Sequence, residues 1–126
     1  MPIVAILLAL AAPAAASPKA SPGQVPAKFQ GEWVIDPAHC ASRGGDNVEG
    51  AKITATDIVR YEEGVTIVRV TALSPDSIRY EGTLSTYDGD SPATGILELS
   101  PDGRRLKGAG YADGPDAQGP ELQRCE

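Results

Sequence analysis

Histidine, aromatic residues and cysteine are all scarce in this chain, and each shortage closes a route to function. His39 is the one histidine, so no second imidazole is present for a metal centre. It stands beside Cys40, and the two would serve as a metal pair or as a thiol nucleophile with its base only with further ligands or an orienting third group. None is apparent, so no catalytic residue, metal or cofactor is expected. Aromatic residues make up 5% of the chain. That is little material to line a ligand cavity of the usual size, about 300 Å³ or more.

Charge is missing from the beginning. Met1 to Ala16 carries no charged side chain, and Ile3 to Ala12 is almost wholly apolar. Pro13 breaks the run, and Ala14-Ala15-Ala16 supplies small residues where a signal peptidase reads. This layout predicts a secretory signal over residues 1–16, cleaved after Ala16, although no Lys or Arg precedes the apolar run. The run is half the ~20 residues a bilayer span requires, and no other segment is apolar enough to span. No cysteine follows it to carry a lipid anchor. The expected location is the periplasm or the medium.

The balance of charge is acidic. Seventeen acidic residues against eleven basic ones give a net charge of −6, all of it after Ala16. Such a chain repels nucleic acid and anionic membrane surfaces, while a protein partner stays acceptable. Two cysteines, Cys40 and Cys125, remain after the signal. In an oxidising compartment they pair most simply with each other, as a structural disulfide closing most of the mature chain.

No window repeats apolar residues at helical spacing, and there is no internal repeat. Residues 17–28 hold prolines and small residues and read as an extended arm. The folded domain is expected from Phe29, covering 29–126. Short strand patterns follow at Gln30–Asp36, Lys52–Thr54, Asp57–Glu62, Val65–Leu73, Ile78–Tyr87, Ala93–Leu99, Arg104–Tyr111 and Leu122–Cys125. Ile78–Tyr87 alternates most clearly, with Ile78, Tyr80, Gly82 and Leu84 on one face. Turn signals punctuate the strands: Glu62-Glu63-Gly64, Ser74–Ser77, Asp88–Pro92 and Ser100-Pro101-Asp102-Gly103. Pro37 to Gly50 reads as a polar loop. The spacing predicts an all-β, small antiparallel up-and-down barrel of about seven or eight strands, or a sandwich. Closure is preferred because it removes exposed edges.

Gly31-Glu32-Trp33 opens the first strand, and Arg124 precedes Cys125 in the last. This pairing resembles the calycins, which include lipocalins and small secreted bacterial inhibitors of metalloproteases. The run Phe29 to Ile35, followed by His39-Cys40, is most similar to the start of the inhibitors. The resemblance implies that Gly31 and Trp33 close the barrel bottom, with Arg124 lying across the indole. It also implies that the arm from Ser17, Pro18 and Lys19 onward enters the cleft of a protease. The chain resembles, too, short periplasmic proteins that pair a Trp-first strand with a C-terminal Arg-Cys. That likeness implies no activity.

Other residue groups carry weaker chemistry. Asp88-Gly89-Asp90 and Asp113 to Asp116 offer clustered oxygens for calcium, but turn-forming aspartates beside glycine explain them as well. Glu62, Glu63, Glu81 and Glu98 supply carboxylates for glycoside hydrolysis only if two of them face each other. Tyr61, Tyr80, Tyr87 and Tyr111 sit in strands or at their ends, where they would line a mouth or pack half-buried. Arg104, Arg105 and Lys107 form the basic cluster. The expected function is a non-enzymatic module that binds a secreted or periplasmic protein, with inhibition of a secreted hydrolase foremost. The alternatives are a lipocalin-type carrier of lipophilic ligands and a structural protein of the envelope. A monomer is the default.

Overall fold

A computed structural model describes residues 23–42, 50–110 and 119–126. The arm residues Ser17, Pro18 and Lys19, the aspartates at 113 and 116, and Tyr111 lie outside the described residues.

Eight strands follow one another: β1 (Gly31–Val34), β2 (Ala51–Ile53), β3 (Asp57–Arg60), β4 (Glu63–Ser74), β5 (Ser77–Thr86), β6 (Gly89–Leu99), β7 (Arg105–Lys107) and β8 (Leu122–Arg124). Each pairs antiparallel with the next, and β1 pairs with β8, closing the barrel. The up-and-down barrel expected from turn spacing is therefore the fold. Two short 3₁₀ segments, Ala27–Phe29 and Pro37–Ser42, flank β1. Among the described residues no helix is long and apolar enough to cross a membrane.

Period-two patterning builds the core. Ile78 and Tyr80 of β5, Leu97 and Leu99 of β6, and Val65 and Ile67 of β4 all turn inward and are buried. Ile58, Leu106 and Leu122 reach the same cluster from the short strands. β4 cannot keep this alternation unaided, because simple period two would carry Arg69 inward. The ladder skips a residue between Ile67 and Arg69, so Val68 is bulged out. The slip leaves Arg69 exposed and packs Val70 against the core. One extra residue exchanges the two faces of everything after it. Gly82 completes the coil: a Cβ there would lie 2.0 Å from the Thr66 carbonyl oxygen.

The structure departs from expectation at three places. The folded domain begins upstream of Phe29, because Val25 is buried in the core and its amide donates to the Ala55 carbonyl at 2.8 Å. Residues Gly23–Lys28 thus belong to the domain. Next, β6 starts at Gly89, so the turn is Tyr87–Asp88 and Pro92 lies within a strand. Proline is tolerated there because β7 pairs only with Glu98 and Leu99, leaving Pro92 on an edge. Finally, closure does not remove every edge. β3 pairs with β4 only from Glu63 to Thr66, and one further bond runs from the Ile67 amide to the Thr56 carbonyl. The rest of β4 has, among the described residues, no strand beside it opposite β5.

Candidate functional site

The barrel has two ends of different character. The end where β1 begins is plugged. Residues Val25 to Gln30 cross it, and Val25, Phe29 and Trp33 are buried beneath. The Trp33 Nε1–H donates to the Phe29 carbonyl at 3.0 Å, so the ring's polar edge is satisfied inside. Arg124 lies over the indole, its Cζ 4.3 Å from the ring centroid. Its guanidinium donates to three carbonyls: Gly103 at 2.9 Å, Gln30 at 2.8 Å and Lys28 at 2.6 Å. Gly31 makes room, since its φ of +133° is one that side chains avoid and a Cβ would come within 3.1 Å of Arg124 Nη1. Every donor of this arginine that points at the plug is engaged, so Gly31, Trp33 and Arg124 form a structural lock. Lys28 adds an exposed clasp to Asp76 at 3.0 Å.

The disulfide Cys40–Cys125 is formed, with its Cα atoms 5.5 Å apart. It pins the Pro37–Ser42 segment across the β1–β8 seam. His39 beside it is exposed. An open groove of about 520 Å³ lies here, outside the barrel, touched by Cys40, Arg104, Arg105 and Gln123. Its charges are largely spent. Arg104 pairs with Glu126, and Arg124 is committed to the plug. The Asp102 carboxyl is held below its ordinary value, first by the Ser100 hydroxyl and then by the Arg104 amide. A lowered value means that this turn keeps its bonds above the carboxylate range and loosens only as acid protonates Asp102. Lys107 faces Glu98 across the ladder. Of the basic cluster, Arg104 is thus committed to Glu126, and Lys107 stands opposite an acidic residue.

The carboxylates are dispersed as well. Glu63 takes an ion pair from Arg60 at 2.9 Å. Glu81 and Glu98 stand on different strands, and Glu81 faces Thr94 rather than another acid. Asp88 and Asp90 flank Gly89, whose φ of +114° marks a turn. Among the described residues no group of three or more His, Cys, Asp or Glu is placed to hold a metal.

The far end presents a different surface. The β3–β4 and β5–β6 turns both project there, because Glu63 and Thr86 sit one step beyond the Gly64–Ser85 pair. At their tips stand Tyr61, 54% exposed, and Tyr87, 85% exposed. Tyr80, by contrast, is core, its ring lying over Gly95. The Tyr61 tip is firmly anchored. Arg60 beside it is only 8% exposed in its side chain, paired to Glu63 and donating to the Ala109 carbonyl at 2.6 Å. The tip is also strained. The left-handed residue of this turn is Glu62, with φ +62°, and not the glycine at 64. A side chain there costs about 1–2 kcal/mol. Strain of this kind gathers at working surfaces. Glu62→Gly is expected to raise stability by up to about 1 kcal/mol in urea unfolding, since glycine accepts that angle freely. An unchanged midpoint would mean that the tip is relaxed. Sequence reasoning singled out both tyrosines but had no signal that would bring them to one end, because strand order and register decide that.

The molecule is thus a small antiparallel β-barrel locked by one disulfide, plugged at one end and carrying exposed tyrosines at the other. Comparison with protein-family models, with curated proteins and with solved structures returned no match.

Proposed function

We propose that this chain is an exported, non-enzymatic protein-binding module whose contact surface is the Tyr61–Tyr87 end, with inhibition of a secreted hydrolase as its use. The observation that carries the reading is the pair of exposed tyrosines at one end of the barrel, Tyr61 on a turn anchored through Arg60. Tyrosine offers a large amphipathic surface at little cost in side-chain freedom and is enriched where proteins meet. The signal-like first sixteen residues and the resemblance to secreted protease inhibitors support export and the choice of target. Side chains of Ile58, Leu97, Leu106 and Leu122 fill the barrel middle, which favours surface contact over a carried ligand.

The test adds the mature chain to the exported fraction of its own cell and follows hydrolase activity. Wild type is expected to lower one activity, and Tyr61→Ala with Tyr87→Ala to weaken that effect at least about tenfold, as truncating contact aromatics does. The melting curve of Tyr87→Ala alone should not move, because that ring is 85% exposed. Removing residues 17–22 measures the arm separately. The deletion must stop before Val25, which belongs to the core. A fraction unaffected by saturating chain overturns the inhibitor reading, and full potency in the tyrosine variant overturns the surface.

A further inference from the structure

The two long overhangs of the barrel are treated differently by the sequence. β6 runs from Gly89 to Leu99 but meets β7 only at Glu98 and Leu99. Its free edge carries Asp90 and Pro92, a charge and a residue with no amide hydrogen, both of which discourage another strand. β4 carries one charge, Arg69, between two ladder slips and has no proline before Pro75. Gly23 packs on the Val68 carbonyl. Beyond it, Arg69-Val70-Thr71-Ala72-Leu73-Ser74 is a proline-free run with β-branched Val70 and Thr71, and among the described residues no strand pairs with it opposite β5. Leu73 is 51% exposed, because a second ladder slip between Ala72 and Ser74 leaves it bulged from the sheet.

This edge is complementary to itself. An antiparallel pair centred on Thr71 sets Thr71 opposite Thr71 of the second copy, Arg69 opposite Leu73, and Val70 opposite Ala72. Arg69 is the only charge in the run, so no like charges face each other. The arginine stem can lie over the exposed leucine, and threonine pairs are favourable across strands. The twofold axis makes each contact occur twice. We infer that the β4 edge, Arg69–Ser74, is a dimerisation surface through which two copies join their β4–β5–β6 sheets into one continuous sheet. An edge contact of this size gives a weak, concentration-dependent dimer. The inference is independent of the tyrosine surface, which lies at the other end.

Sedimentation equilibrium of the oxidised chain, from micromolar into millimolar concentration, tests it. The mass of wild type should rise toward twice the monomer. Thr71→Lys puts two ammonium groups face to face on the axis and should weaken the dimer at least about tenfold, without changing the melting curve of the dilute protein. Thr94→Lys, on the exposed face of β6, should leave the dimer intact. Mixing Thr71→Lys with Thr71→Glu should restore association, since opposite charges then meet. A wild type that stays monomeric throughout overturns the proposal. So does a Thr71→Lys chain that dimerises as well as wild type, or a mixed pair that fails to associate. A dimer that forms only after residues 17–22 are removed assigns the edge to the chain's own arm instead.

Discussion

With Cys40→Ala and Cys125→Ala together, the barrel is expected to lose about 4 to 5 kcal/mol of unfolding free energy, the amount chain entropy assigns to a loop of this length. The bridge spans a separation of 85 residues. Small domains hold about 5–15 kcal/mol in total, so the loss is a large share of what keeps this one folded. The geometry says where it will be felt first. β1 and β8 meet through only two residue pairs, Trp33 with Arg124 and Val34 with Gln123. One more backbone bond, from the Cys125 amide to the Glu32 carbonyl, lies just beyond. β4, β5 and β6 instead pair along most of their lengths. Without the disulfide, the amides of Val34 and of residue 125, which donates to the Glu32 carbonyl, should exchange with solvent through local opening, while those of Ile78 and Leu97 still require global unfolding. Urea titration gives the total, and hydrogen exchange gives the place. A loss under about 1 kcal/mol, or uniform exchange, would mean that the seam holds by packing alone.

Much of this architecture could be read from the chain, because antiparallel strands with one wet face write their period into the sequence. Ile78, Tyr80, Leu97 and Leu99 alternate with polar residues, and each is buried where alternation put it. The Ser100–Gly103 turn was equally plain. There the Ser100 hydroxyl donates to Asp102 at 2.6 Å, and the same carboxylate takes the Arg104 amide at 3.0 Å. What stayed hidden depends on pairing between distant segments. Val25 looks like part of a proline-rich arm until the barrel end it fills is present. The bulge at Val68 is invisible locally, since only its partner strand shows that a residue has been skipped. Pro92 looks like a turn residue because the absence of a neighbour on one side of β6 is a property of the whole sheet.

The functional surface was less legible than the lock. Gly31, Trp33 and Arg124 are legible through the resemblance to the calycins, which implies a glycine and a tryptophan at the closed end with a basic side chain across the ring. Tyr61 and Tyr87 gave no such sign. Among four tyrosines in similar strand contexts, only register separates the core ring of Tyr80 from the exposed rings at the tips. The left-handed angle at Glu62 was concealed by Gly64, a residue better suited to it, standing two positions on.

Trp33→Ala is expected to cost about 3–5 kcal/mol, because it removes a fully buried ring and leaves a cavity under the plug. Arg124→Met keeps an apolar stem over the indole but gives up three charge-assisted bonds, for an expected loss of about 2–4 kcal/mol after allowing for partial solvation. Arg124→Lys should recover little of this, since one ammonium cannot reach carbonyls of Lys28, Gln30 and Gly103 held in a fork. The two residues form one unit, so their effects should not add. Without the indole the guanidinium loses the face it lies on, and without the guanidinium the segment that accepts the Trp33 Nε1–H loosens. The double variant should therefore fall short of the sum by about 1 kcal/mol or more. Trp33→Phe supplies a version that should still fold, losing the bond to the Phe29 carbonyl while keeping a ring. Urea titrations of the four chains close the cycle. Additivity within about 0.5 kcal/mol would show that ring and guanidinium act separately, and that the plug is held by the apolar contacts of Val25 and Phe29 instead.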